Sequence, residues 1–425
     1  MKTFRRDSDE QSEAGKERIK RSAISSLKQR NYRLYFIGQI ISNAGTWMQM
    51  VAQSWLVLQL SKSGSILGIV SAVQFLPMLF FGPLAGVYTD RYNKRKLLIL
   101  TQSLFGIVAL ILGILDLSGA VALWMIFVSA ALMGIINTID MPSRQAFVIE
   151  LVGREDLQNA VSLNTVVMNG ARVVGPSIAG GIIYAFGVGP NFILNAISYI
   201  AVIIVLLKLD MSKLRPATRV AAKKGQLREG FRYVRSHSEL AIPLLMMVIV
   251  GTLAYEFQIS IPLLATTTFH KGAGSYAILT ASLGFGAVIG GFLSAKYAKV
   301  SQRLLNIAAG IFGVMMLGMA GAPSYNLELL ITAATGAISI LFLSTANTLL
   351  QITAREEMRG RVMALYGVAF LGSTPVGAPL IGFISQHFGG RIGILVGGVA
   401  TLIAAGFGTY RVSRNKAAAL ETVQG

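Results

Sequence analysis

Apolar runs of roughly 20 residues recur along this chain and constrain its fold more than any other feature of the sequence. A helix of that length crosses the hydrocarbon core of a bilayer, which is about 30 Å thick. Because 53% of the 425 residues are hydrophobic and only 13% are charged, the chain carries more apolar surface than a soluble protein of its size buries. The segments of alternating polarity that are typical of a membrane β-barrel are missing from the sequence. We therefore predict an all-α membrane protein.

The apolar runs predict about twelve transmembrane helices, with both termini in the cytoplasm. Among the 38 Lys and Arg residues, only Lys62, Lys271 and Arg391 fall on predicted outer loops, and Arg172 lies inside the fifth span. All the others lie on the cytoplasmic side or at its border, as the positive-inside rule requires. The net charge of +19 thus reflects topology and not a nucleic-acid partner. The predicted spans are 34–60, 65–89, 97–117, 121–146, 158–186, 190–209, 241–269, 275–297, 303–322, 326–351, 361–388 and 391–412.

The longest internal hydrophilic stretch, residues 210–240, divides the chain into two parts. Within it, Leu227, Phe231 and Val234 recur at helical spacing among basic residues, which is typical of an amphipathic helix on an anionic membrane surface. A charged linker that is merely solvated is the alternative. The predicted domains are a cytoplasmic tail (1–31), an N-terminal six-helix bundle (32–209), this basic cytoplasmic linker (210–240), a C-terminal six-helix bundle (241–412) and a second cytoplasmic tail (413–425).

The two predicted bundles share a weak internal repeat. An offset of 202 residues superposes Gly175 on Gly377, Gly180 on Gly382 and Phe186-Gly187 on Phe388-Gly389. An offset of 205 residues places Gly86 on Gly291 and Arg91-Tyr92 on Lys296-Tyr297. Such matches at equivalent topological places are typical of two six-helix bundles related by an axis along the membrane normal.

A charged turn, Gly86 to Lys96, joins the second and third spans. It matches the pattern G-x-x-x-D-R-x-G-x-[KR]-[KR], with Asn93 in place of the second Gly, through Gly86, Asp90, Arg91, Lys94 and Arg95. This pattern is the signature of the major facilitator superfamily of secondary transporters, which the chain resembles over nearly all of residues 32–412. The degenerate second copy has Ala295 where the first has its acid.

More narrowly, the chain resembles bacterial exporters of the enterobactin-exporter and macrolide-efflux type. The resemblance implies a secondary transporter that exports a small amphipathic organic molecule, a siderophore or drug-like compound, by proton antiport with alternating access. An importer or facilitator of a small metabolite on the same fold is the alternative. The segments that carry the resemblance are Asn43–Gln49, Gln74–Pro77, Asp140–Phe147, Glu150–Asp156 and Gly225–Gly230.

The same resemblance implies a multi-pass protein of the bacterial cytoplasmic (inner) membrane that works as a monomer. Its expected partners are a small-molecule substrate and the lipid bilayer, and no cofactor is expected because the proton gradient supplies the energy. An enzyme or a metal site is not expected, since the chain has no Cys and its three His residues fall near predicted span ends. No Gly-x-x-x-x-Gly-Lys-Ser/Thr nucleotide-binding loop is found. A sensor that binds ligand without transporting it is a further alternative.

The charged turn is predicted to form a latch on the cytoplasmic side. Gly86 lets a facing helix approach closely, and Asp90 can accept hydrogen bonds from the positive N-terminus of span 11. The family resemblance implies that Lys94 or Arg91 pairs with an acid at the end of span 4, where Glu150 is placed. The alternative is that these charges only anchor the topology.

Four charges inside predicted spans are candidates for proton coupling, because a buried ion in a membrane is costly unless it is paired or faces water. Asp140 and Arg144 lie four residues apart on one helix face. They form a structural salt bridge, or else Asp140 accepts a proton when Arg144 or Arg172 moves away. Glu256, with no cation near it in sequence, is expected to be protonated at neutral pH. We predict that Glu256 serves coupling or substrate binding, with pairing to Arg172 or a structural role as alternatives.

A polar stripe along span 1 predicts a substrate cavity. Gln39, Asn43, Thr46 and Gln53 share one helix face at steps of four, three and seven residues, and a polar stripe facing lipid is costly. Such a cavity suits a flat or partly charged organic molecule. The residues of other spans predicted to line the same path are Asp140, Glu256, Gln258, Asn347 and Tyr366, with apolar contact from Trp47, Phe75, Phe257 and Phe370.

Overall fold

Helices are the regular elements of the protein in all the residues that its structure describes. The structure, a computed structural model, describes residues 25–215, 226–296, 300–370 and 372–424; we call 25–215 the N-terminal part and 226–424 the C-terminal part. The N-terminal part contains α1 (Arg30–Ser61), α2 (Gly64–Arg91), α3 (Lys94–Leu117), α4 (Leu123–Gly153), α5 (Glu155–Phe186) and α6 (Gly189–Leu207). The C-terminal part contains α7 (Gln226–Ser236), α8 (Ser238–Leu253), α9 (Phe257–Leu263), α10 (Ala273–Lys296), α11 (Gln302–Gly321), α12 (Tyr325–Thr353), α13 (Glu356–Phe370), α14 (Thr374–Phe388) and α15 (Gly390–Gln424).

In these described residues, eleven helical stretches are long and apolar enough to cross a membrane. Two of them contain a break: α8 continues through α9 as Ser238–Thr268, and α13 continues through α14 as Glu356–Phe388. The predicted first span is α1, which has 32 residues but is not among the eleven. Its buried side chains include Gln39, Gln49 and Gln53, which lower its apolarity. The difference from the predicted twelve spans therefore comes from the polar face of α1.

Large apolar side chains cover the outer faces of the helices. On α3, for example, Leu100, Ile107, Ile111 and Ile114 are each more than half exposed. In water, an apolar surface of this extent would drive aggregation, whereas in a bilayer it contacts lipid chains. The pattern of exposure agrees with a protein that spans a membrane many times.

Short polar turns separate the helices. The side chains of Ser63, Asn93, Ser301 and Ser324 each precede a helix and accept a hydrogen bond from a backbone N–H of its first turn. Gly153, with a φ of +71°, separates α4 from α5 in a conformation that strains any residue with a side chain. These turns end the helices within several residues of the predicted span limits.

Glycines of the predicted repeat occupy equivalent places in α5 and α14. Gly187 and Gly389 end these two helices, with φ of +82° and +98°. Gly180 packs against α10, in the C-terminal part, and Gly382 packs against α2, in the N-terminal part. The offset of 202 residues thus relates positions that have the same packing role on opposite sides of the molecule.

The N-terminal and C-terminal parts contact each other closely at one end of the molecule, here called the closed end. The hydroxyl of Ser63 donates a hydrogen bond of 2.5 Å to Oε1 of Gln386, and the N–H of Ser65 donates one of 2.9 Å to the same oxygen. A Cβ atom at Gly68 would overlap the carbonyl oxygen of Ala378, so α2 and α14 meet backbone to backbone. Small residues are what permit helices to approach this closely.

The opposite end, here called the open end, carries the C-terminus of α2 and the N-terminus of α13. Ser162, Asn164 and Thr165 of α5 are exposed on this side of the molecule, although α5 contacts α10 further along. Polar side chains exposed along a spanning helix indicate a water-filled gap between the parts.

The linker forms the helix that the sequence predicts, from Gln226 onward, while residues 216–225 lie outside the described residues. Val234 is buried in the core of the C-terminal part, and Glu229 pairs with Arg361 of α13 at 2.5 Å. Phe231, in contrast, is 61% exposed. One face of α7 therefore packs on protein through Val234, and Phe231 is free to contact a membrane surface, while the side chain of Leu227 lies outside the described residues.

Candidate functional site

A cavity of about 260 Å³ lies between the N-terminal and C-terminal parts. Two charged side chains, Arg172 and Glu256, line it from opposite parts of the chain. An apolar, aromatic cavity with a few polar groups is the usual form of a small-molecule site. The aromatic residues of its walls are Trp47 and Phe75 from the N-terminal part, and Tyr255, Phe257, Tyr276 and Phe370 from the C-terminal part.

The N-terminal wall of the cavity presents a cation on an aromatic ring. The guanidinium carbon of Arg172 lies 5.2 Å from the centre of the Trp47 ring. Nε of Arg172 is buried and has no hydrogen-bond partner. Gly175, nearly one turn further along α5, packs against Trp47 and the carbonyl oxygen of Ala44, which holds α5 against α1. The ring stabilises the guanidinium charge, but it leaves Nε–H without an acceptor.

The C-terminal wall presents a carboxyl group at a break between two helices. Glu256 lies between the end of α8 and the start of α9, and only 4% of its surface is exposed. Its Oε1 has no hydrogen-bond partner and lies against Gly377 of α14, where a Cβ atom would come within 2.8 Å of it. The sequence places Glu256 inside span 7, but no proline marks the break that directs it into the cavity.

The two walls are related by the internal repeat. The offset that superposes Gly175 on Gly377 also superposes Arg172 on Thr374, and both of these residues line the cavity. Gly175 packs against α1 and Gly377 against α8. Each wall is thus built in the same way, from a glycine of one helix packed closely on a neighbouring helix, and we call this arrangement the backbone frame. In the part of the chain that the structure describes, Arg172 and Glu256 form no ion pair with each other or with another residue. A basic and an acidic side chain, neither of them in an ion pair, therefore face one cavity.

A smaller cavity of about 40 Å³ adjoins the first. Gln258 lines both cavities. Thr46 and Gln53 of the predicted polar stripe line the smaller one, where Nε2 of Gln53 donates to Oε1 of Gln74 at 3.4 Å. Three residues predicted for the substrate cavity, Thr46, Gln53 and Gln258, therefore lie together between the two parts.

Four other residues predicted for the substrate path, Gln39, Asn43, Asn347 and Tyr366, line neither of these cavities. Asn43 and Asn347 form hydrogen bonds within their own helices. Tyr366 stacks on Phe370, with 6.4 Å between the ring centres, and lies behind the aromatic wall. Gln39 belongs to a separate polar cluster. Gln39 and Asn43 share a face of α1 with Thr46 and Gln53, but a shared face does not ensure that every residue on it lines the cavity.

Asp140 and Arg144 form that cluster, inside the N-terminal part. Nε of Arg144 lies 2.5 Å from Oδ2 of Asp140, while Thr101 and Gln102 donate to Oδ1 at 2.6 and 2.8 Å. Arg144 also donates a hydrogen bond to Gln39. Both carboxylate oxygens of Asp140 have partners, and neither charged residue lines the cavities. This geometry is that of the structural salt bridge, the first of the two predicted interpretations.

The charged turn between α2 and α3 lies at the open end. The side chains of Gly86 and Asp90 lie outside the described residues, so the contact of Asp90 with span 11 stays a prediction. Arg91 is exposed. Lys94 exerts an electrostatic attraction on Glu150, the acid predicted as its partner. Lys94 of the turn and Glu150 near the end of α4 thus attract each other electrostatically.

Arg95 differs from the other cations of this turn. It donates hydrogen bonds of 2.6 and 2.9 Å to the carbonyl oxygens of Leu206 and Leu207, at the end of α6. Cations stabilise the C-terminus of a helix, where carbonyl oxygens lack partners. Arg95 therefore fastens the turn to α6 within the N-terminal part.

Glu328 is a further buried acid that is not among the four charges predicted inside spans, because it lies in the first turn of α12. Its surface is fully buried; Oε1 accepts a hydrogen bond of 3.1 Å from Thr332, and Oε2 has no partner. Arg391 attracts it electrostatically, and the guanidinium of Arg391 also lies over the ring of Phe269. The signal in the sequence is Arg391 itself, one of the few basic residues on a predicted outer loop.

The chain has relatives among known transport proteins. A family model described as transmembrane secretion effector matches residues 21–424. The chain is 24% identical to the staphyloferrin A transporter of Staphylococcus aureus over 362 residues, which cover 84% of this chain and 90% of that one. It is 26% identical to the enterobactin exporter EntS of Escherichia coli over 383 residues, which cover 89% and 88%.

The helix arrangement is similar to that of a solved structure as well. This is a bacterial homologue of the human lysosomal transporter Spinster, in an inward-facing and unoccupied conformation. The TM-score is 0.72 at 15% sequence identity, and the match covers 89% of this chain and 95% of the other. The likeness extends over nearly the whole of both chains and concerns the fold.

Proposed function

The chain belongs to the major facilitator superfamily, within its transmembrane secretion effector family, and on that premise we propose that it exports a small amphipathic organic molecule by proton antiport. It is a multi-pass membrane transporter and not an enzyme. The relatives named for staphyloferrin A and for enterobactin favour a siderophore as cargo. A drug-like compound of similar character is the second cargo class.

The proposed architecture is two six-helix bundles in the inner membrane of a bacterium, with both termini in the cytoplasm. The equivalent packing of Gly180 and Gly382, and of Gly175 and Gly377, supports two bundles related by a repeat. Basic residues are concentrated at the open end, around Lys94, which favours the cytoplasm on that side. In this orientation the structure is open to the cytoplasm, where an exporter loads its cargo.

The observation that carries the proposal is the cavity with its two unpaired charges. It lies between the two parts of the chain, and the contacts of Ser63 and Gly68 with α14 close it at one end. Alternating access requires a central site that opens to one side at a time. Movement of one part against the other would expose the same cavity at the closed end.

Glu256 is the proposed proton carrier. It faces the cavity without an ion-pair partner in the described residues, whereas both oxygens of Asp140 are bonded. The other charged and titratable groups around the cavity are Arg172, Tyr255 and Tyr276, and the Tyr255 hydroxyl donates to the carbonyl oxygen of Ser339. A proton and a hydrogen-bond donor of the cargo would compete for the Glu256 carboxylate, and such competition is what couples antiport.

The charged turn at the open end is the proposed latch. When the parts approach each other at that end, Asp90 would accept hydrogen bonds from the N-terminal turn of span 11. Asp90→Asn keeps the shape but removes the charge, so we expect transport to fall several-fold while the amount of protein in the membrane is unchanged. Transport at the wild-type rate with normal expression would remove Asp90 from the gating argument.

A deletion strain tests the function as a whole. Secreted metabolites and drug susceptibility are compared between the deletion strain and the same strain carrying the gene, with and without an uncoupler. We expect one compound to be secreted when the gene is present, and the uncoupler to stop this secretion. Greater accumulation inside cells that carry the gene would instead support the importer, and flux that is insensitive to the uncoupler would support the facilitator. In either outcome the proposal of proton-driven export fails.

A further inference from the structure

The unpaired cation of the N-terminal wall indicates what charge the cargo carries. Arg172 lies within α5, a membrane-spanning helix, where a cation without a partner is costly. Across residues 25–215, 226–296, 300–370 and 372–424, no carboxylate pairs with it. The chain provides the ring of Trp47 and an electrostatic interaction with Tyr255, whose hydroxyl donates its hydrogen bond elsewhere, to the carbonyl oxygen of Ser339. The acceptor that Nε requires must therefore be water or a bound molecule.

Arg144 shows what a satisfied guanidinium looks like in the same part of the chain. It has the Asp140 carboxylate at 2.5 Å and also donates a hydrogen bond to Gln39. Arg172 has neither kind of partner, and it faces the cavity. The difference identifies Arg172 as a binding group and Arg144 as part of the scaffold.

Resting on the proposed export function, we propose that the cargo presents an oxyanion to Arg172, a flat apolar part to the aromatic walls, and a hydrogen-bond donor to Glu256. A guanidinium binds carboxylates and similar oxyanions through paired N–H donors, and that of Arg172 lies 5.2 Å from the centre of the Trp47 ring. On the opposite wall, Oε1 of Glu256 is an acceptor without a donor. The cavity thus has an anion-binding pole and a donor-binding pole.

This two-pole arrangement is compatible with antiport, whereas a purely anionic cargo is not. An ionised Glu256 would repel a molecule that carried only negative groups. A donor on the cargo, such as an amine or hydroxyl, replaces the proton on Glu256 instead, while the oxyanion stays on Arg172. The cargo class is therefore a flat organic molecule with an acidic group at one end and an amino or hydroxyl group at the other.

Two fluorescent dyes test the anion-binding pole. Rhodamine 110 carries a free carboxylate and amino groups on a flat xanthene ring, and rhodamine 123 is its methyl ester, so the pair differs only at the carboxylate. The affinity of each dye for the full-length protein in nanodiscs is measured by fluorescence anisotropy. We expect the wild-type protein to bind rhodamine 110 more tightly by about tenfold, as for a hydrogen bond to a charged group.

Substitution of Arg172 decides whether this preference comes from the proposed pole. Arg172→Gln should bind the two dyes equally, Arg172→Lys should keep part of the preference, and the matched control Arg303→Gln, at an exposed position, should keep all of it. Equal binding of the dyes by the wild-type protein, or a preference that survives in Arg172→Gln, would overturn the proposal. Because binding is measured without transport, the two proposals can fail separately. Loss of the dye preference with uncoupler-sensitive secretion intact would contradict only the anion-binding pole, and the opposite result would contradict only proton-driven export.

Discussion

The two walls of the central cavity share a backbone frame but carry opposite charges. On the N-terminal wall, Gly175 packs against α1 and Arg172 lies over Trp47; on the C-terminal wall, Gly377 packs against α8 beside Glu256. The glycines are superposed by the repeat offset of 202 residues. A duplicated frame thus holds a cation on one side and an acid on the other. The repeat builds the cavity, and the departures from the repeat determine its chemistry.

The comparison also separates binding charges from structural ones. Asp140 and Arg144 satisfy each other within the N-terminal part, at a distance of 2.5 Å. Arg172 and Glu256 each keep a buried polar atom without a partner. A buried polar atom that lacks a hydrogen bond is costly, and where its side chain also lines a cavity, water or a bound molecule can supply the missing partner.

The largest expected effect is on the acid of the C-terminal wall. Glu256→Gln keeps the size of the side chain but cannot bind and release a proton at physiological pH. We expect transport driven by a pH gradient to fall by at least about tenfold in proteoliposomes, while exchange of cargo across the membrane without a gradient continues. Glu239→Gln, at an exposed position in the first turn of α8, is the matched control and should transport normally. Unchanged proton coupling in Glu256→Gln would show that the coupling residue lies elsewhere.

The second prediction concerns the paired acid. Asp140→Asn removes the negative charge that pairs with Arg144 and leaves the guanidinium with uncharged partners, among them Gln39 and Tyr35. Breaking a buried ion pair costs about 3–5 kcal/mol, and since Arg144 is partly exposed we expect a free energy of unfolding lower by about 2–3 kcal/mol. Thermal unfolding in detergent measures this loss.

Dye binding distinguishes Asp140, which does not line the cavity, from Glu256, which does. Asp140→Asn should still prefer rhodamine 110 over rhodamine 123, since Asp140 does not line the cavity. If the variant were as stable as the wild-type protein but lost coupling, Asp140 would be the proton acceptor and the comparison of paired and unpaired acids would break down.

The third prediction tests the shared frame. A Cβ atom at Gly377 would overlap the carbonyl oxygen of Thr252, and one at Gly175 would press on Trp47 and Ala44. Overpacking of this kind costs about 1–3 kcal/mol, so Gly377→Ala and Gly175→Ala should both lower the unfolding temperature and weaken dye binding. The effect should be larger at Gly377, because a Cβ atom there would come within 2.0 Å of a backbone oxygen, compared with 2.8 Å at Gly175.

Gly181→Ala is the control for both glycine substitutions. No atom lies within 4 Å of the position that a Cβ would occupy at Gly181, so the protein should be as stable as wild type. Equal stability of Gly175→Ala and Gly181→Ala would show that the two walls do not share a close-packed frame.

Much of the fold is predictable from the sequence because the bilayer restricts it to helices of a given length. The apolar runs locate the helices, and the repeat relates Gly175 to Gly377. The site is harder to predict because it depends on contacts between distant helices. Asp140 and Glu256 are both acids inside spans, but only the packing of Thr101 and Gln102 satisfies the first, and only a break before Phe257 directs the second into the cavity.

The polar stripe of α1 shows the same limit. Its period identifies the face that turns away from lipid, and Thr46 and Gln53 do line a cavity. Gln39 lies on the same face, yet it bonds to Arg144, two turns away from the site. Helical periodicity predicts which face of a helix a residue occupies. It does not predict at what level along the helix a cavity lies, because that depends on where neighbouring helices separate.

The smallest expected effect concerns the closed end, where the two walls are held together. Oε1 of Gln386 accepts hydrogen bonds from Ser63 and from the N–H of Ser65, and Gln386→Ala removes both. Each bond contributes about 0.5–1.5 kcal/mol, so the equilibrium constant for closure at this end should fall several-fold. Since the chain has no Cys, a single Cys introduced by Asn164→Cys reports exposure at the open end through its rate of labelling by a water-soluble maleimide.

We expect Gln386→Ala to slow this labelling several-fold, because the two walls then swing together at the open end more of the time. Gln351→Ala, which removes an exposed glutamine that bonds within its own helix, should leave the labelling rate unchanged. Faster labelling after Gln386→Ala would mean that the two ends open together, and a rigid exchange of access between the walls would then be excluded. The direction of the change in labelling thus tests whether the shared frame moves as two bodies about the cavity, as alternating access requires.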